Sequence, residues 1–393
     1  SAAGPDLLQL VIGSEGAFGV ITEASLRVRR LPAASRYEAW IFPDFDAGRE
    51  AFRELAQSRI TADVMRLSDG RETATSLLMS APGGLMGAAL TAYLRRRGVT
   101  SGEGALAILG WEAVDSDIVK SRRGAAVEVL RRHGAVLLGK RAGESWQRHR
   151  FDGPHLRDAL MDAGYLVETV ETSTTWSNLS RLRTAIHHAL DHSLTSSVTR
   201  PYVMTHISHV YETGASLYTT VIAVADQTEP LGQWTSAKAA VSDAISSGGG
   251  TITHHHAIGR DHARWLPDEI GALGVATLKA VKSSLDPAGN LQPRCPGTHL
   301  ISSIPSEEPI IGSGVIPTPV LEGGYQSYLA HRGCFRGGLV SRDTHLQVAV
   351  RRIRAPSRRG EERPSRLVVE SDPRDAFADT GTAQHVDAGM HQP

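Results

Sequence analysis

His254, His255 and His256 stand in a row inside a patterned internal segment, Thr251 to Ile258. Imidazoles titrate near neutral pH, so a run of them can tune a neighbouring acid or bind an anion. The plainer alternative is a surface or core cluster with no chemical duty. On an extended strand His254 and His256 would face one side and His255 the other, so three neighbours could not all ligate one metal. No cysteine or carboxylate stands at a metal-like spacing beside them, and no metal site is expected. A second group is the turn Gly13-Ser14-Glu15-Gly16-Ala17-Phe18-Gly19, with glycines three apart. It is neither G-x-G-x-x-G nor a P-loop, which would need Gly-Lys-Ser/Thr. Glycines let a backbone approach a ligand with its N–H groups aimed at it. Standing alone, such a turn is more often only a turn.

These residues need elements to hold them. Leu8, Leu10 and Ile12 alternate before the glycine turn and Val20 and Ile21 follow it, a strand–turn–strand pattern. Two strand–helix–strand units come next. In the first, Tyr37 to Phe42 is a strand, Asp46 caps a helix bearing Phe52, Leu55 and Ala56 on one face, and Asp63 to Leu67 returns. In the second, strands at Ala105 to Trp111 and Gly134 to Lys140 flank a helix at Val119 to Arg132. Further on, Leu179, Leu182, Ile186 and Leu190 mark a helix. Tyr202 to Ser208 and Ser216 to Val224 alternate as strands, and Ser236 to Ser246 is helical. After Gly248 to Gly250 the histidine segment reads as a short strand, and a last helix from Pro267 to Leu285 stops before Asp286 and Pro287. The expected architecture is α+β, with a mixed sheet and helices on one face.

The 393 residues allow two to three domains at about 150 residues each. Hydrophobic residues make up 41% and charged residues 21%, which excludes wholesale disorder. Lys+Arg and Asp+Glu both number 42, so the chain offers no global footprint for nucleic acid. With 2 cysteines, Cys295 and Cys334, neither a disulfide scaffold nor a cysteine zinc cluster is available. No apolar run reaches the length of a membrane span. The stretch from Ser76 to Arg97 combines Leu77, Leu78, Met79, Leu85, Met86, Leu90 and Leu94 with Arg95 to Arg97. That mixture is expected to touch lipid at a membrane surface, the alternative being an ordinary buried helix. From about Arg294 the composition shifts. Lys282 is the last lysine, and Pro, Gly and Ser become frequent. Residues 294–393 are expected to be a poorly ordered tail, the alternative being a stretch read out of frame.

A family resemblance adds to this reading. GPDLLQLVIGSEGAFGVITEASLRVRRLP resembles the end of the PCMH-type FAD-binding domain of the vanillyl-alcohol-oxidase superfamily. VMRLSDG, HLRDALMDAGYLVETVETSTTW, THISHVYETGASLY, TITHHHAIGRDHARWL and LKAVKSSLDPAGNLQP resemble the FAD-linked oxidase C-terminal domain, and more narrowly the alkyldihydroxyacetonephosphate synthases. The glycine segment is common to many flavin oxidases, whereas the triple histidine with downstream Trp265 is more specific to the synthases. The resemblance implies three regions: residues 1–31 as the end of an FAD-binding domain, 32–293 as the substrate (cap) domain, and 294–393 as the tail.

It also implies roles. Tyr218 falls on the active-site tyrosine, with His254, His255 and His256 beside it. Arg66 falls on an essential arginine near the flavin and Arg157 on the arginine linked to substrate phosphate. Gly13, Ser14, Glu15, Gly16, Ala17, Phe18, Gly19, Val20 and Ile21 would lie along FAD. From pattern alone, Arg66 and Arg157 would be surface ion pairs and Tyr218 an ordinary strand residue. The implied reaction exchanges the acyl group of acyl-dihydroxyacetone phosphate for a fatty alcohol through a flavin adduct, with no net redox change. A phosphate ester suits a guanidinium fork, and imidazoles that hydrogen-bond a phenolate favour its ionised form. The alternative is an FAD-dependent 2-hydroxy-acid dehydrogenase or oxidase of the D-lactate or glycolate type, and a third reading is an inert cap domain. The expected partners are lipid phosphate ester and fatty alcohol, with a homodimer as a candidate assembly and a cytoplasmic, membrane-peripheral location. Because the chain begins at Ser1 without Met and its first residues already read as the middle of a domain, it reads as a fragment that would bind FAD weakly or not at all on its own.

Overall fold

A computed structural model of the protein describes residues 4–80, 84–100, 102–151, 153–196, 199–291 and 349–350. The chain divides into two compact units, one of residues 1–19 and 31–333, the other of residues 20–30 and 334–393. The tail expected at 294–393, with Cys295 and Cys334, lies outside the described residues apart from 349–350. In the second unit, β1 (Ile21–Glu23) pairs antiparallel with β9 (Ala349–Val350).

The first unit is built on a seven-stranded sheet. β2 (Ala34–Phe42), β3 (Val64–Ser68), β4 (Ala105–Ala113), β5 (Val136–Gly139), β6 (Tyr165–Thr175), β7 (Tyr202–Val210) and β8 (Gly214–Val224) lie in the order β5-β2-β4-β3-β7-β8-β6. Every pairing in it is antiparallel, which corrects the expected mixed sheet. The two strand–helix–strand units are present. However, β4 sits between β2 and β3, and β2 between β4 and β5, so the parallel strands of each unit never touch. This interleaving is the split βαβ arrangement.

One face of the sheet is covered by α2 (Phe45–Gln57), α5 (Ser116–Arg132), α8 (Leu179–Leu194) and α9 (Pro230–Ser247). Trp40, Phe42, Leu67, Leu109, Trp111, Ile207 and Leu217 point into this layer against Phe52, Leu55, Leu130, Leu182, Ile186 and Val241. Period-2 strands meeting 3.6-period helices produce this core. The cap of α2 is Asp44, whose carboxylate accepts from Ala47 N at 2.8 Å. Asp46, expected as the cap, lies within the first turn.

The opposite face is divided. Towards β2 and β5 it is apolar. Tyr37, Ala39 and Ile108 meet Trp146 of α6 (Lys140–His149), while Ile41 and Val136 meet Leu90 and Leu94 of α4 (Gly84–Arg96). Leu90 and Leu94 therefore belong to the core, which shortens the apolar surface expected at 76–97. In that stretch, residues 81–83 and the side chains of 79–86 lie outside the described residues. Towards β3, β7, β8 and β6 the face is polar.

Two further expectations change. Leu8 and Leu10 lie in a short helix, α1 (Leu7–Val11), started by Asp6, which accepts from Leu8 N at 3.0 Å. The histidine segment is not a strand. Thr251 N donates to Ser173 O at 2.9 Å, and the chain then leaves the sheet edge through backbone turns with φ of 61° at His255 and 69° at Ala257. Left-handed residues cannot continue an extended strand. The last helix, α10 (Leu266–Leu285), occupies the expected span but is broken by a kink at Gly271, whose φ of 70° and ψ of 169° are not helical, and α3 (Gly70–Ser80) and α7 (Gly153–Asp162) are the remaining helices of the unit.

Candidate active site

Strand register assembles the polar half of the free face. Ser68 lies opposite His206, His206 opposite Tyr218, and Tyr218 opposite Glu171, a row across four neighbouring strands. Residues directly opposite in antiparallel strands put their side chains on the same face. Arg66 and Ser208 extend the same face by one repeat. The Tyr218 ring stacks on His206 with centroids 4.9 Å apart and planes 21° apart. It also meets His256 edge-on at 5.7 Å.

At the β3 end, Arg66 uses both arms of its fork. Nη1 donates to His206 Nε2 at 2.9 Å and Nη2 to Glu72 Oε1 at 2.8 Å. Glu72 Oε1 also lies 3.1 Å from His206 Nδ1. Guanidinium only donates and carboxylate only accepts, so Nε2 is the acceptor and Nδ1 carries the hydrogen. His206 is thus neutral, in agreement with the direction set by burial and by Arg66, both of which lower its pKa. Burial pushes the Glu72 carboxyl up, but the charge of Arg66 and the hydrogen bonds from His206 and Ser68 hold it below the usual carboxylate range. Since His206 is neutral, Arg66 is the partner that keeps Glu72 ionised. Asp69 in turn fixes the start of α3, accepting from Glu72 N at 2.9 Å and from Thr205 N at 3.1 Å.

At the β6 end, the hub is Glu171, only 5% exposed. Its Oε1 accepts from Ser208 Oγ at 2.6 Å and lies 3.3 Å from His209 Nδ1 and 3.4 Å from His254 Nδ1. Its Oε2 lies 3.1 Å from His256 Nε2. Burial raises its pKa, but the hydrogen bonds from His256 and Ser208 and the charges of His256 and His254 outweigh burial and hold it at about 2. His254 is pushed down, chiefly by burial and then by the charge of His255, and its Nε2 lies 3.0 Å from the Tyr211 hydroxyl. His255 packs on His254 and His209 at 4.0 and 5.0 Å between centroids.

The structure therefore brings together Tyr218, Arg66, His254, His255 and His256. Arg157 sits half-buried on α7, which packs along β6. Of the glycine segment, Gly13 to Gly19 belong to the first unit and Val20 and Ile21 to the second. Gly13 and Gly16 are left-handed, with φ of 79° and 81°, and a Cβ on either would meet nothing within 4 Å. Ala17 and Phe18 are buried beneath them. The Cβ directions of both glycines thus face open space, which leaves room for a ligand beside the turn. The ligand atoms of His209, His254 and His255 lie within 4.8 Å of one another and could hold a metal ion, a grouping that alternation along a strand would forbid. A neighbouring cleft of about 470 Å³ is lined by hydroxyl groups, glycines, Asp268 and Glu269. Without Lys, Arg or His in its lining, it is unsuited to a phosphate.

The model of the family described as "FAD linked oxidases, C-terminal domain" matches residues 31–295. The chain belongs to that family. Within it, the chain is similar to alkyldihydroxyacetonephosphate synthases. It is 29% identical to the Trypanosoma brucei brucei enzyme over 78% of this chain and 50% of that one. It is 30% identical to the Caenorhabditis elegans enzyme over 73% of this chain and 49% of that one. A solved alkyldihydroxyacetonephosphate synthase structure superposes with a TM-score of 0.60 at 25% identity, over 74% of this chain and 50% of the other. The chain spans about half the length of the curated relatives it matches. The expected α+β class and the kinship with this domain family hold. Among the described residues, no helix is long and apolar enough to cross a membrane.

The residues that sequence reasoning missed are Glu72, Glu171, His206 and His209. His206 and His209 stood inside THISHVYETGASLY, and their spacing from Tyr218 was visible. Their partners come from β6 and α3, far away in sequence.

Proposed function

We propose that this chain is the substrate-binding and catalytic part of a flavin-dependent enzyme that exchanges the acyl group of acyl-dihydroxyacetone phosphate for a fatty alcohol. The observation that carries this reading is Tyr218, held between His206 and His256 by networks that end on Glu72 and Glu171. The likeness to alkyldihydroxyacetonephosphate synthases supports the substrate class. The exchange releases a fatty acid as carboxylate and takes in an alcohol, whose hydroxyl proton must be accepted near the reacting carbon. Tyr218, with imidazoles on its face and edge, is the assigned acid/base group. A free tyrosine, near pKa 10, is a poor base at neutral pH, and this gives the surrounding histidines a purpose. Arg66 supplies a fixed positive charge on the same face, and Arg157 is assigned the substrate phosphate. Gly13 to Ile21 are assigned to FAD, which when bound would supply an electron sink for the dihydroxyacetone carbon.

The converging His209, His254 and His255 favour a second reading, a flavin-dependent 2-hydroxy-acid dehydrogenase with a metal at the histidines. One experiment separates them. Flavin-loaded protein is given acyl-dihydroxyacetone phosphate with a fatty alcohol, and in parallel lactate or glycolate with an electron-accepting dye. Ether product without dye reduction supports the exchange. Dye reduction without ether product supports the dehydrogenase. The lipid contact at 76–97 and a homodimer are retained as proposals, testable by liposome flotation and by sedimentation.

A further inference from the structure

Glu15 belongs to the glycine turn, yet its carboxylate reaches the histidine loop. Oε1 accepts from Ile258 N at 2.7 Å and from Gly259 N at 3.1 Å, and Oε2 from Gly259 N at 3.0 Å. These amides begin two residues beyond His256. The loop they end is unusual in its backbone, with φ of 61° at His255, 69° at Ala257 and 53° at Gly259. Glu15 itself has φ of 51°. Left-handed backbone at non-glycine residues persists only where the surroundings over-determine it. Here it has a consequence: His254 and His256 both reach Glu171 while His255 turns to His209. The contact is reinforced beneath. Phe18 and Ala17 pack with Ile258, Leu278 and Val281, and Lys282 Nζ donates to Ala17 O at 2.9 Å and Leu291 O at 2.6 Å.

We infer that Glu15 is a positioning residue that holds the histidine loop in its left-handed course and ties it to the glycine turn. This rests on the reading above in taking that loop as part of the active site. A carboxylate that satisfies two consecutive amides fixes both the position and the direction of the chain they belong to, and charge-assisted bonds are the strong ones. The glycine turn and the imidazoles at Tyr218 are therefore one mechanical unit. A shift of either moves the other.

The test is hydrogen exchange of the full chain, read at the Ile258 and Gly259 amides, with diethyl pyrocarbonate labelling of His254 against His188 on α8. Glu15→Ala is expected to speed exchange at the two amides at least about tenfold, to raise His254 labelling relative to His188, and to leave β7 and β8 unchanged. Glu15→Gln keeps an acceptor of the same reach, and is expected to give a smaller rise at the same amides. It also serves if the alanine variant fails to fold. Unchanged exchange at both amides, or a rise shared equally by β7 and β8, would overturn the inference. Neither readout uses flavin or substrate. A localised rise therefore stands even if no alkyl exchange is found, and exchange activity with a loop indifferent to Glu15 would remove this inference alone.

Discussion

Arg66 Nη1 lies 2.9 Å from His206 Nε2, and because guanidinium can only donate, this contact decides which nitrogen of His206 carries hydrogen. The ring is held neutral, with its Nδ1 hydrogen on Glu72, and presents its face to Tyr218. Lysine cannot reproduce a two-armed donor at this place. Arg66→Lys should lose one charge-assisted bond, worth about 1.5–3 kcal/mol, and slow alkyl exchange by about 10- to 100-fold. The nitrogen shifts of His206 should show the other tautomer appearing. A rate within twofold of the parent would exclude the fork from the mechanism.

Glu171 gives a prediction about stability and pH. Its folded pKa is about 2, below the ordinary 4.5. As pH falls, the unfolded chain takes up this proton first, so the stabilisation is complete above pH 4.5 and lost between 4.5 and 2. The shift corresponds to at most roughly 3 kcal/mol. Denaturant unfolding from pH 7 to pH 3 should therefore show a loss of stability in the acid range that flattens in Glu171→Gln. The variant should also be less stable than the parent at pH 7. Parallel curves for the two proteins would mean that Glu171 carries no such linkage.

Much of the scaffold was legible from local pattern. α2 and α5 each set one apolar face against the sheet, and β2 and β4 read as near-continuous apolar runs because helices cover both of their faces. The histidine triplet also stood out, but its geometry did not. Strand alternation was the natural assumption, and two left-handed residues, His255 and Ala257, replaced it. Glu171 was hidden for another reason. It sits among Thr and Val in a strand, where a lone glutamate reads as solvent-facing, and its partners Ser208 and Tyr218 reach it only through pairing of strands about 40 residues apart. The sheet order had the same cause: the sequence contains the units β2–α2–β3 and β4–α5–β5 but not their interleaving.

Arg157 is expected to act through the substrate phosphate. Arg157→Ala should raise the KM for acyl-dihydroxyacetone phosphate by about 10- to 100-fold with kcat nearly unchanged, since it removes binding common to ground and transition states. The KM for the fatty alcohol should not move. Equal loss in both would point to a structural role on α7.

Tyr218→Phe removes a hydroxyl and little volume, so the melting temperature and flavin content should stay near those of the parent. General acid/base catalysis contributes about 10²–10⁴-fold, and the exchange rate should fall by that order. Replacing His256 should also slow the reaction, and should do less harm once Tyr218 is already Phe, because groups acting as a unit are not additive. Near-normal exchange in Tyr218→Phe would take Tyr218 out of the mechanism.

The fate of the alcohol oxygen tests the central claim most directly. Flavin-loaded protein is incubated with acyl-dihydroxyacetone phosphate and a fatty alcohol labelled with oxygen-18, and the lipid product is weighed by mass spectrometry. If the alcohol replaces the acyl group at the dihydroxyacetone carbon, the ether carries the label, one fatty acid is released per ether formed, and no electron acceptor is consumed. Release of fatty acid without labelled ether, or turnover that needs an electron acceptor, would contradict the account.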